Sequence, residues 1–505
     1  MQMKQSILML SLFAVTACGG ELQLNLIIND PCNQPVLRVA GIEQIELNIA
    51  SQEGETQQEA WDVADSQGEA TDLTPVPNAT VSVLGRSGSA AVAAISVGPV
   101  NLDGGDEDVI DLSLVFGKVD TFFHTTNADE ASNGHLICTS TAMARQGHSA
   151  TLLPDGKVWV VGGATEDTSS IIYHDSTEFF DPEKGVYAPG PTMEWTRAYH
   201  RATTLDDGRV LITGGDGMSG LNVTTWLVAL VYDPHKEGAD PFDEVGMRSQ
   251  RANHTATLLD DGRVLLAGGT NGASVLATTE IFDPQTMSFC DGPSLLGQGR
   301  AHHAAVRIGR QQVALIGGEG SVGPLDSVQF VNVGGCGQGT ATPGPSLVTA
   351  RVHLSAAMVP GQAGIAVVGG FAGVASPHYN QAGLSSLELI KLNTTNLAQS
   401  TVESCSSSLA VPRGDATMLP VGSSLMIVGG VNTPNGVVNS SEVISFSGIG
   451  SCSPVIAFTA GGLGTPRAGA EATALVGGDI LISGGYGLAG GIASIGQSEI
   501  YVRRR

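Results

Sequence analysis

The chain has 505 residues, of which 42% are hydrophobic and 14% charged, and 67 of them are glycine. This length accommodates two or three domains or one large repeat array, and the composition favours turn-rich β structure over disorder. The net charge of −25 argues against nucleic acid and anionic lipid as partners, because both would be repelled at long range.

The first 17 residues have the features of a signal peptide. Lys4 precedes a short apolar run over 7–15, which is too short to span a bilayer. The segment Val15-Thr16-Ala17-Cys18 resembles the lipobox of bacterial lipoproteins, and this resemblance implies acylation of Cys18. Acyl chains would then hold the protein at a membrane surface. Gly19 after the cysteine favours the outer membrane or cell surface. Ordinary secretion with a coincidental cysteine is the alternative.

Residues 18–126 do not fit the pattern of the rest of the chain. Short apolar or alternating runs at 22–28, 42–49, 79–84, 90–97 and 109–115 predict a small, Ig-like β-sandwich, with polar stretches between the strands. The acidic cluster at 103–108 is typical of a solvated turn, with a calcium site as the alternative. A polar stretch at 127–134 is predicted to be a linker.

Residues 135–505 contain seven copies of one unit. In each copy an arginine opens a first strand, and a second, apolar strand runs into a Gly-Gly pair. The arginines are Arg145, Arg197, Arg251, Arg300, Arg351, Arg413 and Arg467, and the pairs stand at 162–163, 214–215, 268–269, 317–318, 369–370, 429–430 and 484–485. Several short strands in a unit of about 50 residues indicate the blade of a propeller.

Four strands, a to d, are expected in each blade. Asp-Gly turns, such as Asp261-Gly262, join strands a and b in the first three units. Strand b is almost entirely apolar, so we expect neighbouring blades to bury both of its faces. The seventh unit has no strand d of its own. Residues 135–139, which contain Cys138, resemble the strand-d segments of other units and are predicted to close the ring.

These repeats resemble kelch repeats, the double-glycine motif of the galactose oxidase-like propeller superfamily. The resemblance covers about 370 of the 505 residues. It implies a seven-bladed, all-β propeller, and this propeller would follow the small sandwich predicted from the preceding residues. The absence of a regular tryptophan in strand d departs from the family pattern.

The repeated arginines have two interpretations. A residue repeated around a ring is usually part of the scaffold, and each arginine can pair with a strand-c glutamate such as Glu280. The alternative is a ring of seven guanidinium groups near the channel mouth that binds a carboxylate or sulfate. In the first four units a histidine follows the arginine by three positions, whereas Leu354, Ala416 and Ala470 replace it in the others.

Antiparallel strand order places the d–a and b–c loops on one face. The least repetitive residues of this face are the candidate ligand-binding residues, although exposed loop aromatics without a ligand are the alternative. They are Trp195, Arg197, Tyr199, His200, Trp226, His378, Tyr379 and Tyr486.

An enzyme is the less favoured interpretation. Galactose oxidase-like enzymes use copper held by two tyrosines and two histidines, with one tyrosine crosslinked to a cysteine. No position of this chain aligns recognisably with that set. No nucleophile–base pair, metal spacing or phosphate loop stands out, so no cofactor, metal or catalytic residue is predicted.

Six cysteines remain besides Cys18, an even number that allows three disulfides in an exported protein. Packed sheets lie about 10 Å apart, so equivalent positions in different blades are not expected to bridge. Loop-borne Cys336 and Cys32 are the exceptions, and Cys32–Cys138 could tie the first domain to the propeller.

The sequence therefore predicts an exported, lipid-anchored, monomeric propeller that binds a protein or glycan through its loop face. A carbohydrate-active enzyme or oxidase of the galactose oxidase-like group and a structural cell-envelope scaffold are the alternatives.

Overall fold

The computed structural model describes only part of the N-terminal region and most of the propeller. The described residues are 8–13, 23–29, 44–50, 56–62, 76–87, 90–102, 109–115, 117–118, 122–124, 126–127 and 143–501, the last range without 167–169, 183, 237–239, 374–380, 434–435, 449–451, 460–461 and 489–491. Cys18, Cys32, Cys138, the acidic cluster, the predicted linker from residue 128 onward and residues 135–139 lie outside them.

Two sheets precede the propeller. The first has the order Leu8–Phe13, Gln23–Asn29 and Val109–Val115. The second has the order Thr56–Asp62, Gln44–Ala50, Val76–Ser87, Ala90–Leu102 and Gly117–Lys118. All five predicted strands are present. Thr56–Asp62 is a further strand, and it overlaps the ends of the polar stretches 51–58 and 62–72 that were expected to separate strands. The sandwich and the signal peptide stay predictions.

Seven four-stranded antiparallel blades follow, with strands a to d in sequence order in blades 1 to 6. The first strands of neighbouring blades contact one another around the whole ring, so strand a lines the central axis. Strands a are Ser149–Leu152, Arg201–Thr204, Thr255–Leu258, Ala304–Gly309, Ser355–Met358, Thr417–Val421 and Glu471–Ala474. Strands b are Val158–Val161, Val210–Thr213, Val264–Ala267, Gln312–Ile316, Gly364–Val368, Ser424–Val428 and Ile480–Ser483.

The two outer strands of each blade complete the sheets. Strands c are Thr177–Asp181, Val228–Tyr232, Thr279–Asp283, Val328–Val333, Leu387–Lys391, Ser441–Ser445 and Glu499–Tyr501. Strands d of blades 1 to 6 are Val186–Pro189, Phe242–Gly246, Ser288–Asp291, Gly339–Pro343, Thr401–Ser404 and Val455–Phe458. Strand b is buried along almost its whole length in every blade, as its sequence predicts.

Small hairpins fill several b–c loops, and one 3-10 helix, Leu397–Gln399, precedes strand d of blade 5. The hairpins are Ala164–Glu166 with Ile171–Tyr173, Asp216–Ser219 with Asn222–Thr225, Glu319–Gly320 with Gly323–Pro324, Val431–Asn432 with Gly436–Val437, and Tyr486–Gly487 with Ala493–Ser494.

The seventh blade is closed by a strand from before the repeats. Phe122–His124 pairs antiparallel with Glu499–Tyr501 and takes the place of strand d. Thr126–Asn127 then pairs with Val186–Pro189 at the edge of blade 1. The closing segment is therefore not the predicted 135–139. Two adjacent phenylalanines favour a strand at 122–124, and the predicted boundary at residue 126 lies too late in the chain.

The Gly-Gly pair joins each blade to the next. The first glycine has φ between 55° and 65° in all seven pairs, a left-handed conformation that glycine adopts most readily. A Cβ at this position would lie within 2.8 Å of the carbonyl oxygen of the arginine in the following blade. The second glycine donates its N–H to that same carbonyl at 2.8–2.9 Å. The contact recurs seven times and ends with Gly485 donating to Arg145.

Two disulfides link neighbouring blades among the described residues. Cys290–Cys336 joins blades 3 and 4, as the loop position of Cys336 allows, with Cα atoms 5.5 Å apart. Cys405–Cys452 joins blades 5 and 6 at 4.4 Å, which the sequence argument did not expect. These two cysteines are not at equivalent positions, because Cys405 follows the d strand of its blade and Cys452 precedes that of the next.

No helix within the described ranges is long and apolar enough to cross a membrane.

Candidate functional site

A pocket of about 360 Å³ opens at the end of the central channel where the d–a and b–c loops lie. Its wall combines hydroxyl, amide, imidazole and carboxyl groups with two tyrosine rings. The residues that line it are Gln146, Gly147, His148, Glu166, Tyr199, Arg201, Asn253, His302, His353, Asp415, Gly469, Glu471, Tyr486 and Ile492.

One position in each blade supplies half of this wall. It is the residue two places after the repeated arginine, and we call the seven residues the axial ring: Gly147, Tyr199, Asn253, His302, His353, Asp415 and Gly469. All seven have left-handed backbones, with φ between 49° and 60°. Five of them are not glycine, and a left-handed backbone costs such residues about 1–2 kcal/mol each.

Backbone hydrogen bonds connect the axial ring from blade to blade. The Tyr199 N–H donates to the Gly147 carbonyl at 2.6 Å, and the Asn253 N–H donates to the Tyr199 carbonyl at 3.0 Å. The pattern continues through His302, His353 and Asp415 to Gly469 with distances of 2.9–3.2 Å. Since these bonds use the main chain alone, each position keeps its geometry whatever side chain it carries.

Asp415 links three blades on one side of the pocket. Its carboxylate pairs with the Nδ1 atom of His353 in blade 5 and accepts a 2.7 Å hydrogen bond from the hydroxyl of Tyr486 in blade 7. Burial alone would raise the pKa of Asp415, but His353 and Tyr486 lower it to about 2. Burial alone would lower the pKa of His353, but Asp415 outweighs burial and raises it above its usual value.

Two aromatic neighbours flank His353. The His302 ring stacks on it with ring centroids 4.2 Å apart, and Phe371 meets it edge-on at 6.2 Å. The carboxylate of Glu319 also favours the protonated form of His353. The imidazole is therefore held from several directions.

Strand a adds charged groups to the wall. Arg201 lies 3.8 Å from Glu471 and donates to the His254 carbonyl at 3.0 Å. Burial raises the pKa of the Glu471 carboxyl, and Arg201 opposes this only in part. Glu166, on the b–c hairpin of blade 1, accepts a hydrogen bond from Gln146.

Tyr199 contributes an aromatic surface to the opposite wall. Its ring packs against Gly147, where a Cβ would lie 2.8 Å from ring carbons, so the glycine makes room for the ring. Burial raises the pKa of the Tyr199 hydroxyl, which is neutral at ordinary pH. Tyr199 and Tyr486 are the two predicted ligand-binding residues that the structure brings into the pocket.

The seven repeated arginines lie in the interior rather than at the channel mouth. Each is at most 1% exposed and donates to the carbonyl of the first glycine of its own blade. Five pair with a strand-c glutamate: Arg145–Glu178 at 3.4 Å, Arg251–Glu280 at 2.6 Å, Arg351–Glu388, Arg413–Glu442 at 2.7 Å and Arg467–Glu499 at 2.8 Å. Buried and largely paired guanidinium groups cannot receive an external anion.

Blades 2 and 4 lack the glutamate, since Leu230 and Gln329 occupy its place. Burial lowers the pKa values of Arg197 and Arg300 to about 10, so both stay charged at neutral pH. Arg300 donates to the Ser327 hydroxyl at 3.0 Å. Arg197 donates to two carbonyls, at 3.1 and 3.3 Å.

The other predicted site residues do not meet in one place. His200 is fully buried and bonds the Ser149 hydroxyl of blade 1 at 2.9 Å, which is a contact between blades. Trp195 and Trp226 contact each other with ring centroids 5.5 Å apart, outside the residues that line the pocket. His378 and Tyr379 lie outside the described residues.

Asn253, His302, His353 and Asp415 were missed by the sequence reasoning. A signal was present: the position two residues after the repeated arginine carries five different residue types in seven blades, whereas the arginine itself never changes. A side chain that varies inside an otherwise repeated motif is not required for blade packing. It is therefore a candidate for contact with a ligand.

Comparisons with known proteins were made for the whole chain. No family model matches it. Two curated galactose oxidases from Gibberella zeae are 30% identical to it over 146 residues, which cover 24% of this chain and 21% of each relative. The chain thus spans about a fifth of the length of these relatives.

Solved structures match over more of the chain. A fungal alcohol oxidase of the AA5 family, in complex with copper, has a TM-score of 0.56 and 16% identity, and covers 72% of this chain and 75% of its own. The structure of YjhT has a TM-score of 0.47 and 15% identity, and covers 63% of this chain and 99% of its own. The alcohol oxidase confirms the predicted galactose oxidase-like, seven-bladed propeller fold.

The pocket does not fit the copper centre that this fold implies. Two tyrosines and three histidines line it, but Tyr486 and His353 are both engaged by Asp415, and the His148 imidazole bonds the Ser483 hydroxyl. No cysteine lines it, and the described cysteines form the two disulfides on or next to outer strands. Within the described ranges no three His, Cys, Asp or Glu side chains are grouped to hold a metal ion.

Proposed function

We propose that this protein binds a small, polyhydroxylated ligand, such as the terminal sugar of a glycan, in the axial pocket. The observation that carries the proposal is the axial ring. Five non-glycine residues keep a strained backbone at one pocket, although Gly147 and Gly469 serve the same position without strain. Strain concentrated at a cleft is characteristic of functional sites.

The chemistry of the wall supports a sugar. Tyr199 offers an aromatic surface, and Asn253, Glu166 and Glu471 offer amide and carboxyl groups that hydrogen-bond hydroxyls. Cations and anions are both present, with Arg201 beside Glu471 and His353 beside Asp415. This balance favours a neutral, polar ligand. The volume of about 360 Å³ is within the usual range of roughly 300–1,000 Å³ for small-molecule sites.

Replacement of Asn253 by glycine tests the proposal. Asn253→Gly removes an amide from the wall and relieves the left-handed backbone, so we expect sugar affinity to fall at least tenfold while the melting temperature stays equal or rises. The measurement is isothermal titration calorimetry with galactose, glucose, mannose and N-acetylglucosamine. Galactose is included because the curated relatives carry its name.

A control outside the pocket makes the result specific. Trp195→Ala removes a partly exposed aromatic ring from the loop face, and its sugar affinity should equal that of the wild type. The proposal is wrong if Asn253→Gly binds sugar normally, or if Trp195→Ala abolishes binding. Binding of none of these sugars, together with capture of a protein through the loop face, would favour a protein ligand instead.

A further inference from the structure

Asp415 is distinctive among the ring residues because its side chain makes two polar contacts across blade boundaries. It binds the His353 imidazole of the preceding blade and the Tyr486 hydroxyl of the following blade. Both partners line the pocket. The three side chains therefore form one continuous wall segment that belongs to blades 5, 6 and 7.

This carboxylate adds a directional polar contact to the packing that each partner already has. Tyr486 directly follows the last Gly-Gly pair, and its hydroxyl is held by Asp415 at 2.7 Å. The His353 ring stacks on His302, and stacking alone does not distinguish the ring from the same ring flipped by 180° about the Cβ–Cγ bond. A hydrogen bond to Nδ1 removes that freedom and fixes which ring edge faces each neighbour.

Charge reinforces the geometry. The groups that face His353 are Asp415 from blade 6, and Glu319 and His302 from blade 4, and Asp415 in turn contacts Tyr486 from blade 7. Both carboxylates favour an imidazolium at position 353. The ion pair keeps Asp415 ionised, and the ionised form can accept both hydrogen bonds at once.

From this geometry we infer that Asp415 is a positioning residue of the sugar site, which orients His353 and Tyr486 for the ligand. The inference rests on the proposed function. Asp415 is itself part of the wall, but its effect on ligand is exerted through the two side chains it holds. Ligand binding should accordingly depend on the protonation of His353.

The test compares the full-length wild type with Asp415→Asn and Asp415→Gly. Asparagine keeps the shape but removes the charge, and glycine reproduces the natural residue of blades 1 and 7. We expect the pH midpoint of the His353 NMR signal, assigned by its loss in His353→Gln, to fall in both variants. We expect galactose affinity, or that of the tightest-binding sugar of the panel, to fall at least fivefold in Asp415→Asn and further in Asp415→Gly.

A merely structural role would give a different result. It would lower the melting temperature without moving the pH profile of sugar binding, whereas a positioning role moves that profile to lower pH along with the His353 midpoint. The matched control is Asp216→Asn, which removes another carboxylate from the same face, one bonded to Thr225 at 2.6 Å. Asp216→Asn should change neither the pH profile of sugar binding nor the pH midpoint of the His353 signal.

The outcomes separate this inference from the proposed function. An Asp415→Asn protein with wild-type affinity overturns the inference, whether or not the His353 midpoint moves. If the wild type binds no sugar of the panel, the proposed function fails. The titration of His353 without ligand then tests whether Asp415 holds this side chain. An unchanged pH midpoint in Asp415→Asn overturns that role.

Discussion

Each first glycine of the seven Gly-Gly pairs stands where a side chain would collide with the next blade. At Gly214 an added Cβ would come closer to the facing arginine carbonyl, that of Arg251, than at any other blade. Backbone carbonyls cannot rotate away as side chains can. The double-glycine motif is therefore a requirement of blade packing and carries no information about ligand.

Gly214→Ala should destabilise the protein strongly. The substitution combines a strained left-handed alanine with a backbone clash, so we expect the free energy of unfolding to fall by more than about 2 kcal/mol. Urea denaturation followed by circular dichroism measures it. Gly246→Ala is the control, because that exposed glycine has open space around it and should be near neutral. Equal stabilities of the two variants would refute the packing argument.

The sequence predicted the residues of the pocket less well than the residues that hold the blades together. Repetition made the arginines and glycines visible, and both turned out to be buried contacts within and between blades. The residue type varies at the repeat position of Asn253, His302, His353 and Asp415, so a search for repeated residues does not identify them. Their common feature is a left-handed backbone, a property that residue type alone does not reveal.

Strands of adjacent blades are joined by the buried histidines of blades 1 to 4. Each histidine bonds a hydroxyl of the preceding blade through Nε2: His148 with Ser483 at 2.9 Å, His200 with Ser149 at 2.9 Å, His254 with Thr213 at 2.8 Å and His303 with Thr255 at 3.0 Å. Burial, reinforced by nearby arginines, lowers their pKa values, in His148 to about 3. They are neutral in the folded protein at pH 7.

Stability should therefore fall in acid. Below about pH 6.5 these histidines are protonated in the unfolded chain but stay neutral in the folded one, so the unfolded state binds more protons. Each then removes about 1.4 kcal/mol per pH unit as the pH falls, until the pH reaches its lowered folded-state pKa. Above pH 6.5 the contribution is constant. The raised pKa of His353 acts in a different pH window: its stabilising contribution is complete below about pH 6.5 and is lost as the pH rises through the raised pKa.

His254→Leu tests this at one blade interface. Leu354 naturally occupies the same position in blade 5, so leucine suits the site. We expect a loss of about 1 kcal/mol at pH 7.5 from the missing hydrogen bond, and a smaller further loss at pH 5.5 than in the wild type. Urea denaturation at the two pH values measures both. His235→Leu, at an exposed histidine, should retain the wild-type pH dependence; an equally steep dependence in His254→Leu would contradict the argument.

The sequence predicted that an N-terminal segment closes the ring, but it did not identify the correct segment. The absence of strand d from the seventh unit implied that an earlier segment completes the blade. The segment is Phe122–His124, which pairs with Glu499–Tyr501. Both this segment and 135–139 resemble strands, and local pattern could not decide between them because the choice depends on distant pairing partners.

The whole molecule combines a net charge of −25 with a predicted lipid anchor. Such a charge is repelled by anionic lipid, so acyl chains are needed for membrane attachment. We propose that Cys18 is acylated and that the protein is exported to the outer membrane or cell surface. Leu8–Phe13 pairs with Gln23–Asn29 in the full-length chain, and cleavage before Cys18 would remove that pairing.

Cys18→Ser should move the protein out of the membrane fraction when it is produced in a Gram-negative host. Cell fractionation and the intact mass of the purified protein measure this, and the wild type should carry acyl groups on a chain that begins at Cys18. Cys290→Ser is the control, since Cys290 forms a disulfide and its loss should leave fractionation unchanged. A wild-type chain in the soluble fraction without acyl mass would disprove the anchor.

Because the axial ring is held by main-chain hydrogen bonds, the fold can be conserved in evolution while the side chains that contact the ligand change. Tyrosine, asparagine, histidine, aspartate and glycine already stand at the same place in different blades, and the bond from each amide to the preceding carbonyl persists between them. A single codon change at such a place alters what the pocket recognises and leaves the blades as they were. Divergent descendants of this chain could thus exchange one ligand for another in small steps at the five ring positions that already carry a side chain, whereas a Cβ at Gly147 or Gly469 would meet the ring of Tyr199 or Tyr486.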